Sequence, residues 1–407
     1  MKRTIKQHIN NTNLPFSQTC RLSSRFERVT RKNTAGNTNV LTISAQYGLV
    51  NHLEYYNQQY ASDDTSSYTL LKKGEFAYNK SYSDGYPLGA IKRLSRYEEG
   101  IVSPLYLCFS AKPGTCPEFY EQYFESGLFN RELYRIAQEG ARNHGLLNIA
   151  TEDFFNAKII DPPIEEQKRI AEILKCCDKA IRLKRELIEE KKKQKKSLMQ
   201  KLLNPDRDFL LPGFKGNWKK ASLGELCLTF SGGTPSRDNG DYYGGTIPWL
   251  KSGELNSRII VKTEEHITPL ALDSSSTKMV KAGTLLLALY GATAGVIAIT
   301  KIDVAINQAI LAIENSDVID SNYLYYSLLN QIDIAKNKFT QGGQPNFNAG
   351  IIRSLIIAFP EKAEQQAIAT ILSSADREID LLEQDLAQWE QKKKALAQLL
   401  LTGKVRV

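Results

Sequence analysis

Two stretches of this 407-residue chain are the same stretch, and any fold must accommodate both copies. Glu166-Gln167 recurs as Glu364-Gln365. At the same offset of 198 residues, and without a gap, Ile170, Ala171, Ile173, Leu174, Asp178 and Ile181 meet Ile368, Ala369, Ile371, Leu372, Asp376 and Ile379. The match continues from Lys195, Lys196, Leu198, Gln200, Leu202 and Leu203 onto Lys393, Lys394, Leu396, Gln398, Leu400 and Leu401. Backwards, it pairs Pro162 with Pro360, Asn148 with Asn346 and Gly145 with Gly343. A repeat of this length implies one architecture built twice.

The repeated part reads as helix. Residues 164–203 contain neither glycine nor proline, and Ile170, Leu174, Cys177, Ile181, Ile188, Leu198 and Leu202 fall on one heptad seam interrupted by Lys184, Lys191 and Lys195. The second copy carries the seam Ile368, Leu372, Ala375, Ile379, Leu382, Leu386, Trp389, Lys393, Leu396 and Leu400. A helix of this kind runs on the order of 60 Å at 1.5 Å per residue, longer than a domain is wide, which predicts a spacer. The first copy has 13 basic and 7 acidic residues, the second 5 and 8 over 361–401. Antiparallel packing brings Lys191 to Lys196 towards Asp376, Glu378 and Asp380, whereas parallel packing opposes them to Lys392 to Lys394.

Between the helices the two halves agree in pattern rather than identity. LLKKGEFAYNKSYSDGYPLGAIKRL, from Leu70, stands where the second half has MVKAGTLLLALYGATAGVIAIT, from Met279, and both read as strand, glycine-containing turn, strand. The second version is nearly long enough to span a bilayer. Its counterpart carries Asn79, Lys80, Ser81 and Asp84, which no membrane span tolerates at that density, so a shared fold predicts buried strands in both. Short helices are expected in PEFYEQYFESGLF, from Pro117, and SNYLYYSLLNQI, from Ser321. The expected fold class is α+β: two globular domains, each with a strongly bent sheet, joined by two long antiparallel coiled-coil helices with an internal pseudo-two-fold repeat. The divisions fall at 1–160 and 206–360 for the globular domains, and at 161–205 and 361–407 for the central and distal helices.

Asp161-Pro162-Pro163-Ile164 approaches the Asp-Pro-Pro-aromatic signature of amino-methyltransferases. The second copy reads Ala-Phe-Pro-Glu-Lys at that place, so the shared element is a proline ahead of a helix. Neither the aromatic nor a glycine-rich cofactor loop after a strand is found. Six cysteines without a CxxC pair and only four histidines predict reduced thiols and no metal or cofactor. MKRTIKQHINNTN lacks the apolar core of a secretory signal, and the reading is a cytoplasmic protein without membrane association. The net charge of +8 suits a polyanionic partner, but most of it sits on the first long helix.

In their order along the chain these features resemble the specificity subunits of type I restriction-modification systems. The resemblance rests on the paired Glu-Gln-x-x-Ile-Ala-x-Ile-Leu helix starts, on LPGFKGNWKKASLGELCLTFSGGTPS from Leu211, on GGTIPWLKSGEL from Gly244 and on QGGQPNFNAGIIRSLIIAFP from Gln341. It implies two target recognition domains that read the halves of an interrupted site in double-stranded DNA. It also implies helices that dock methyltransferase subunits and, through them, restriction subunits, with no catalysis in this chain. The first domain opens LPFSQTCRLSSRFERVTRKN, without a clear counterpart of Trp218 or Leu223-Gly224.

The resemblance does not locate base contacts. Side-chain chemistry gives a shortlist of phosphate donors and of amide or guanidinium groups suited to base edges. In the first domain these are Arg31, Lys32, Asn33, Gln46, Tyr47, Asn79, Lys80, Ser81, Tyr82, Arg142, Asn143 and His144. In the second they are Thr234, Ser236, Arg237, Lys251, Ser252, Tyr290, Gln308, Gln341, Gln344 and Asn346. Gly232, Gly233, Gly342 and Gly343 would let backbone approach phosphate, although glycine also simply makes turns. A coiled-coil adaptor that binds protein and a stand-alone DNA-modifying enzyme are the alternatives from other functional classes.

Overall fold

The computed structural model describes residues 18–44, 47–56, 64–82, 85–137, 147–206, 211–214, 217–339 and 347–407, with backbone alone over 333–339. The chain divides into two compact units, Met1–Arg185 with Gln384–Val407, and Glu186–Glu383. The long helices are Ile164–Leu202 and Lys362–Leu401, and each contributes one part to each unit.

In the first unit Thr19–Arg21 pairs antiparallel with Lys158–Ile160. Phe26–Arg28, Leu107–Ala111, Phe76–Asn79 and Ala90–Arg93 form a four-stranded antiparallel sheet in that order. Against it lies the helix Pro117–Glu125, whose buried face of Phe119, Tyr120, Tyr123 and Phe124 meets Phe26, Phe76 and Phe109. Phe26 stands edge-on to Tyr120 at 5.0 Å, and Phe76 stacks on Phe109 at 5.2 Å. Ile170 and Leu174 from the start of the central helix, and Leu400 and Leu401 from the end of the distal one, complete this core.

The second unit repeats the plan with different strands. Lys219–Ser222 pairs antiparallel with Ile356–Phe359. A five-stranded sheet runs Thr229–Ser231, Ile310–Ile313, Leu285–Ala288, Ile297–Thr300, Ile259–Ile260, and a four-stranded one runs Glu265–Ile267, Tyr243–Leu250, Val304–Ile306, Lys278–Val280. The membrane-like segment forms a hairpin whose strands, Leu285–Ala288 and Ile297–Thr300, are buried throughout, while Tyr290, Gly291 and Ala292 of its turn are exposed. Among the described residues no helix is long and apolar enough to cross a membrane. The core joins Leu285, Leu287, Leu311, Tyr323 and Tyr326 to Ile368 and Leu372 of the distal helix and to Met199 and Leu202 of the central one.

The expected single bent sheet is replaced in each unit by several small ones. Apart from Tyr243–Leu250 the strands are two to five residues long, and several end at glycine turns, so a single sheet cannot bend across a domain. Gly89 shows why such turns are obligatory: its φ is +79°, and a Cβ there would lie 2.2 Å from the Asn79 carbonyl oxygen.

Equivalent hydrogen bonds fix both copies of the frame. The Leu22 N–H donates to the Ala157 carbonyl at 2.9 Å, as the Leu223 N–H does to Leu355 at 2.9 Å. The Tyr120 hydroxyl donates to the Ile160 carbonyl at 2.9 Å, and Tyr323 to Ala358 at 2.7 Å. Gln167, fully buried, accepts from the Cys116 N–H at 3.0 Å and donates to the Pro162 carbonyl at 2.8 Å. Gln365 accepts from Asp320 N–H at 2.8 Å and donates to Pro360 at 2.9 Å. The first domain therefore does have the opening strand that its sequence conceals, with Leu22 in the place of Leu223. Asp161 of the Asp-Pro-Pro run grips the Arg25 guanidinium through both oxygens at 2.8 Å, tying the helix entrance to that opening segment.

The long helices pack antiparallel. Within the first unit Asp178 pairs with Lys393, Lys184 with Asp385 and Arg185 with Glu390. Within the second, Lys191 pairs with Glu378, Lys192 with Glu383 and Lys195 with Asp376. The lysines that interrupt the apolar seam are thus its ionic rungs, beside buried Ile181, Ile188 and Ile379. Most rungs are solvent-exposed and contribute about 0.2–1 kcal/mol each. Asp376 differs: its side chain is 13% exposed, and it accepts from Arg258 at 2.9 Å and from the Tyr326 hydroxyl at 2.6 Å besides Lys195.

Position on the helix decides what an added charge costs. Leu372 is fully buried in the second core, whereas Leu381 on the same helix is 59% exposed. We expect Leu372→Asp to destabilise the second unit by more than about 4 kcal/mol, and Leu381→Asp to stay within about 0.5 kcal/mol, in urea unfolding of the full chain. Leu174→Asp should do to the first unit what Leu372→Asp does to the second. Equal effects at Leu372 and Leu381 would contradict the packing.

Candidate nucleic-acid interface

Several residues on the shortlist turn out to be occupied by their own domain. Asn33 is 4% exposed; its amide donates to the Asn37 carbonyl at 2.9 Å and to Thr65 Oγ1 at 3.3 Å, while its oxygen accepts from the Asn37 N–H at 2.8 Å. It staples a turn and presents nothing outward. Arg31 is held by Glu75 and the Leu70 carbonyl, and Lys32 donates to the Ser67 carbonyl at 2.8 Å. Close packing requires Gly232 and Gly233: a Cβ on Gly232 would lie 1.8 Å from the Ile306 carbonyl oxygen, and one on Gly233 2.0 Å from Ser276 Oγ. Gln46, Arg142, Asn143, His144, Gln341, Gln344 and Asn346, with Gly342 and Gly343, lie outside the described residues.

Other residues gather at one place in each unit. In the first, Asn79, Lys80, Ser81 and Tyr82 leave the strand Phe76–Asn79, and the Asn79 side chain accepts from the Ser81 N–H at 3.0 Å to start the turn. Tyr82 is 54% exposed, and the Lys80 carbonyl accepts from the Leu147 N–H at 3.1 Å. The second unit repeats this bond between the Leu289 carbonyl and the Phe347 N–H at 2.8 Å, next to Tyr290. Tyr47, 61% exposed, stands at a separate turn between Leu41–Ser44 and Gly48–Asn51.

The second unit also builds a polar cluster from residues far apart in sequence. Arg237 donates to the two Glu265 oxygens at 2.8 and 3.2 Å, and Lys251 donates to Glu265 at 2.7 Å. The Arg237 guanidinium lies over the Tyr243 ring at 4.3 Å and the Trp249 ring at 5.3 Å. Thr234 donates to Gln308 Oε1 of the turn between Val304–Ile306 and Ile310–Ile313, Ser236 is exposed nearby in sequence, and Ser252 accepts through its carbonyl from Thr293 Oγ1 at 2.8 Å. A shallow cleft lined by Tyr243, Gly244, Gly245, Glu264, Glu265 and His266 opens alongside. Sequence reasoning misses Glu265, Tyr243 and Trp249: a carboxylate 28 residues from Arg237 carries no local signal of orienting it. Among the described residues no group of His, Cys, Asp or Glu is placed to hold a metal ion.

The Arg237 fork, and then Lys251, hold the Glu265 carboxyl down at about 2, from an ordinary 4.5. Since the folded value lies below the unfolded one, this stabilisation is complete above about pH 4.5 and is lost as pH falls towards 2. A carbon-detected NMR titration should give Glu265 a midpoint well below 4.5, and Arg237→Ala should move it upward. A midpoint at the ordinary value in both proteins would show that the fork does not form.

Comparison with known proteins accounts for the duplicated frame. The family model described as the type I restriction modification DNA specificity domain matches twice, over residues 25–192 and 215–391. The chain is 31% identical over 179 residues to the type I restriction enzyme MjaIX specificity subunit of Methanocaldococcus jannaschii, a match covering 43% of this chain and 40% of that one. It is 29% identical over 332 residues to the MjaVIII specificity subunit of the same organism, covering 76% and 75%. The aligned part thus spans less than half of the first relative and three quarters of the second. Among solved structures, a chain from a study of complex assembly and conformational transition of the type I restriction-modification system shares the fold, with a TM-score of 0.62 and 16% identity over 97% of this chain and 100% of that chain. With two family matches that together span most of its length, the chain belongs to the specificity subunits of type I restriction-modification systems.

Proposed function

We propose that each globular domain reads one half of a bipartite site in double-stranded DNA, and that the paired helices space the two readers and dock methyltransferase subunits. Restriction subunits join through that complex, and the chain itself carries out no chemistry in the cytoplasm where it works. One observation carries this reading: equivalent bonds at Leu22 and Leu223, Tyr120 and Tyr323, and Gln167 and Gln365 support two domains with unlike exposed side chains. A constant frame with a changing surface suits two readers of different sequences. Hydroxyls and a cation, on exposed Tyr82, Ser236, Arg237 and Tyr290 and on half-buried Ser81, supply the donors for phosphates and base edges. Asn79 and Lys80 adjoin Ser81 in sequence, Thr234 with its partner Gln308 and Lys251 with its neighbour Ser252 stand around Arg237 and Glu265, and Arg31 and Lys32 lie apart, on the segment that follows Phe26–Arg28.

The test exchanges residues 206–359 for the equivalent segment of a relative and follows methylation by the assembled complex. One half of the recognised sequence should change and the other should persist. If both halves changed, or neither did, the domains would not be independent readers.

A further inference from the structure

Arg237 stands on a loop whose backbone is fixed from several sides. The Gly233 carbonyl accepts from Thr277 Oγ1 at 2.6 Å and from the Trp249 ring N–H at 3.4 Å, and the Pro235 carbonyl accepts from the Tyr243 hydroxyl at 2.6 Å. The aromatic rings and Glu265 then fix the guanidinium itself, although the side chain is 54% exposed. Its orientation is therefore set before any ligand arrives, which removes an ordering cost from binding.

A guanidinium has two edges able to make paired hydrogen bonds. Glu265 occupies the terminal edge through Nη1 and Nη2. The side edge, formed by Nε–H and the outer hydrogen of Nη2, has no bond from any described residue. Charge narrows what that edge can take. Lys251 reaches Glu265 at 2.7 Å and Glu264 at 3.6 Å, and its backbone N–H donates to Glu254 at 3.2 Å, so three carboxylates surround two cations. A phosphate gains little in a neighbourhood without surplus positive charge. A neutral, flat ligand with two adjacent acceptors matches the free edge, and in the major groove O6 and N7 of guanine are such a pair.

We propose that Arg237 reads one guanine of the half-site bound by the second domain, with Glu265 as the positioning residue that holds its side edge outward. This rests on the reading of that domain as a DNA reader. Lysine cannot replace Arg237, because a single ammonium has no planar fork.

The experiment selects duplexes from a pool with a randomised stretch, using the full chain with its methyltransferase subunits, and compares the enriched sequences. Wild type should yield two half-sites. Arg237→Ala and Arg237→Lys should each abolish a guanine preference at a single position of one half, a drop of roughly five- to a hundredfold, the worth of one bidentate contact. The other half stays as it was and reports that the protein is folded. Glu265→Gln should weaken preference at that same position only. The dependence of affinity on salt should be unchanged in Arg237→Ala, since a base contact releases no counterion. Guanine retained in both Arg237 variants overturns the assignment. So does a slope of log affinity against log salt reduced by about 0.9 with no base preference lost, which marks a phosphate contact. If wild type enriches no sequence at all, the DNA-reading function falls first and takes this assignment with it.

Discussion

The structure depends on a buried glutamine at the start of each long helix. Gln167 and Gln365 are 0% and 1% exposed, and they share two kinds of backbone partner, to which Gln365 adds the Val318 carbonyl at 3.2 Å. One is the N–H that precedes the domain helix, at Cys116 or Asp320; the other is the proline carbonyl that ends the strand leading into the long helix. The glutamine therefore ties helix, strand and spacer together within one side chain's reach. An unsatisfied buried amide or carbonyl costs about 1–3 kcal/mol, so the side chain is hard to replace. The glutamate before it is used as well: Glu166 holds Arg406 through two bonds of 2.6 Å, closing the end of the distal helix onto the first unit.

From that anchor the frame extends along the helices. Asp178 and Asp376 are equivalent positions, and each takes a lysine from the other helix, Lys393 or Lys195. What each carboxylate accepts from its own domain differs: the Gln122 amide at 2.8 Å in the first, and Arg258 with the Tyr326 hydroxyl in the second. Burial and the Asp376 contact both push the Tyr326 hydroxyl up, keeping it a donor across the working pH range. The helix side of each junction is fixed and the domain side is tuned, so unlike domains can occupy one frame.

Much of this was legible because a repeat is a comparison a chain makes with itself. The apolar run of 281–301 could be read as a hairpin from the charged residues in its counterpart, and the antiparallel helices from the placement of Lys191, Lys192 and Lys195 against acids. The opening strand of the first domain was not legible, since Thr19–Arg21 carries no motif and is defined only by pairing with residues far along the chain. Site residues were hardest. Asn33 and Asn79 have the chemistry of base readers, but their side chains bond nearby backbone, a competition that composition cannot resolve. Glu265 was invisible for the opposite reason, because its partners Arg237 and Lys251 meet it only once the sheet has formed.

Two separate readers on one duplicated frame should specify a single bipartite DNA site. Single-molecule methylation sequencing of genomic DNA from cells with and without this gene reads that site out. Deletion should remove methylation from a single motif made of two specific halves around a gap of unspecified bases. An unchanged methylation pattern, or the loss of one uninterrupted motif, would contradict it.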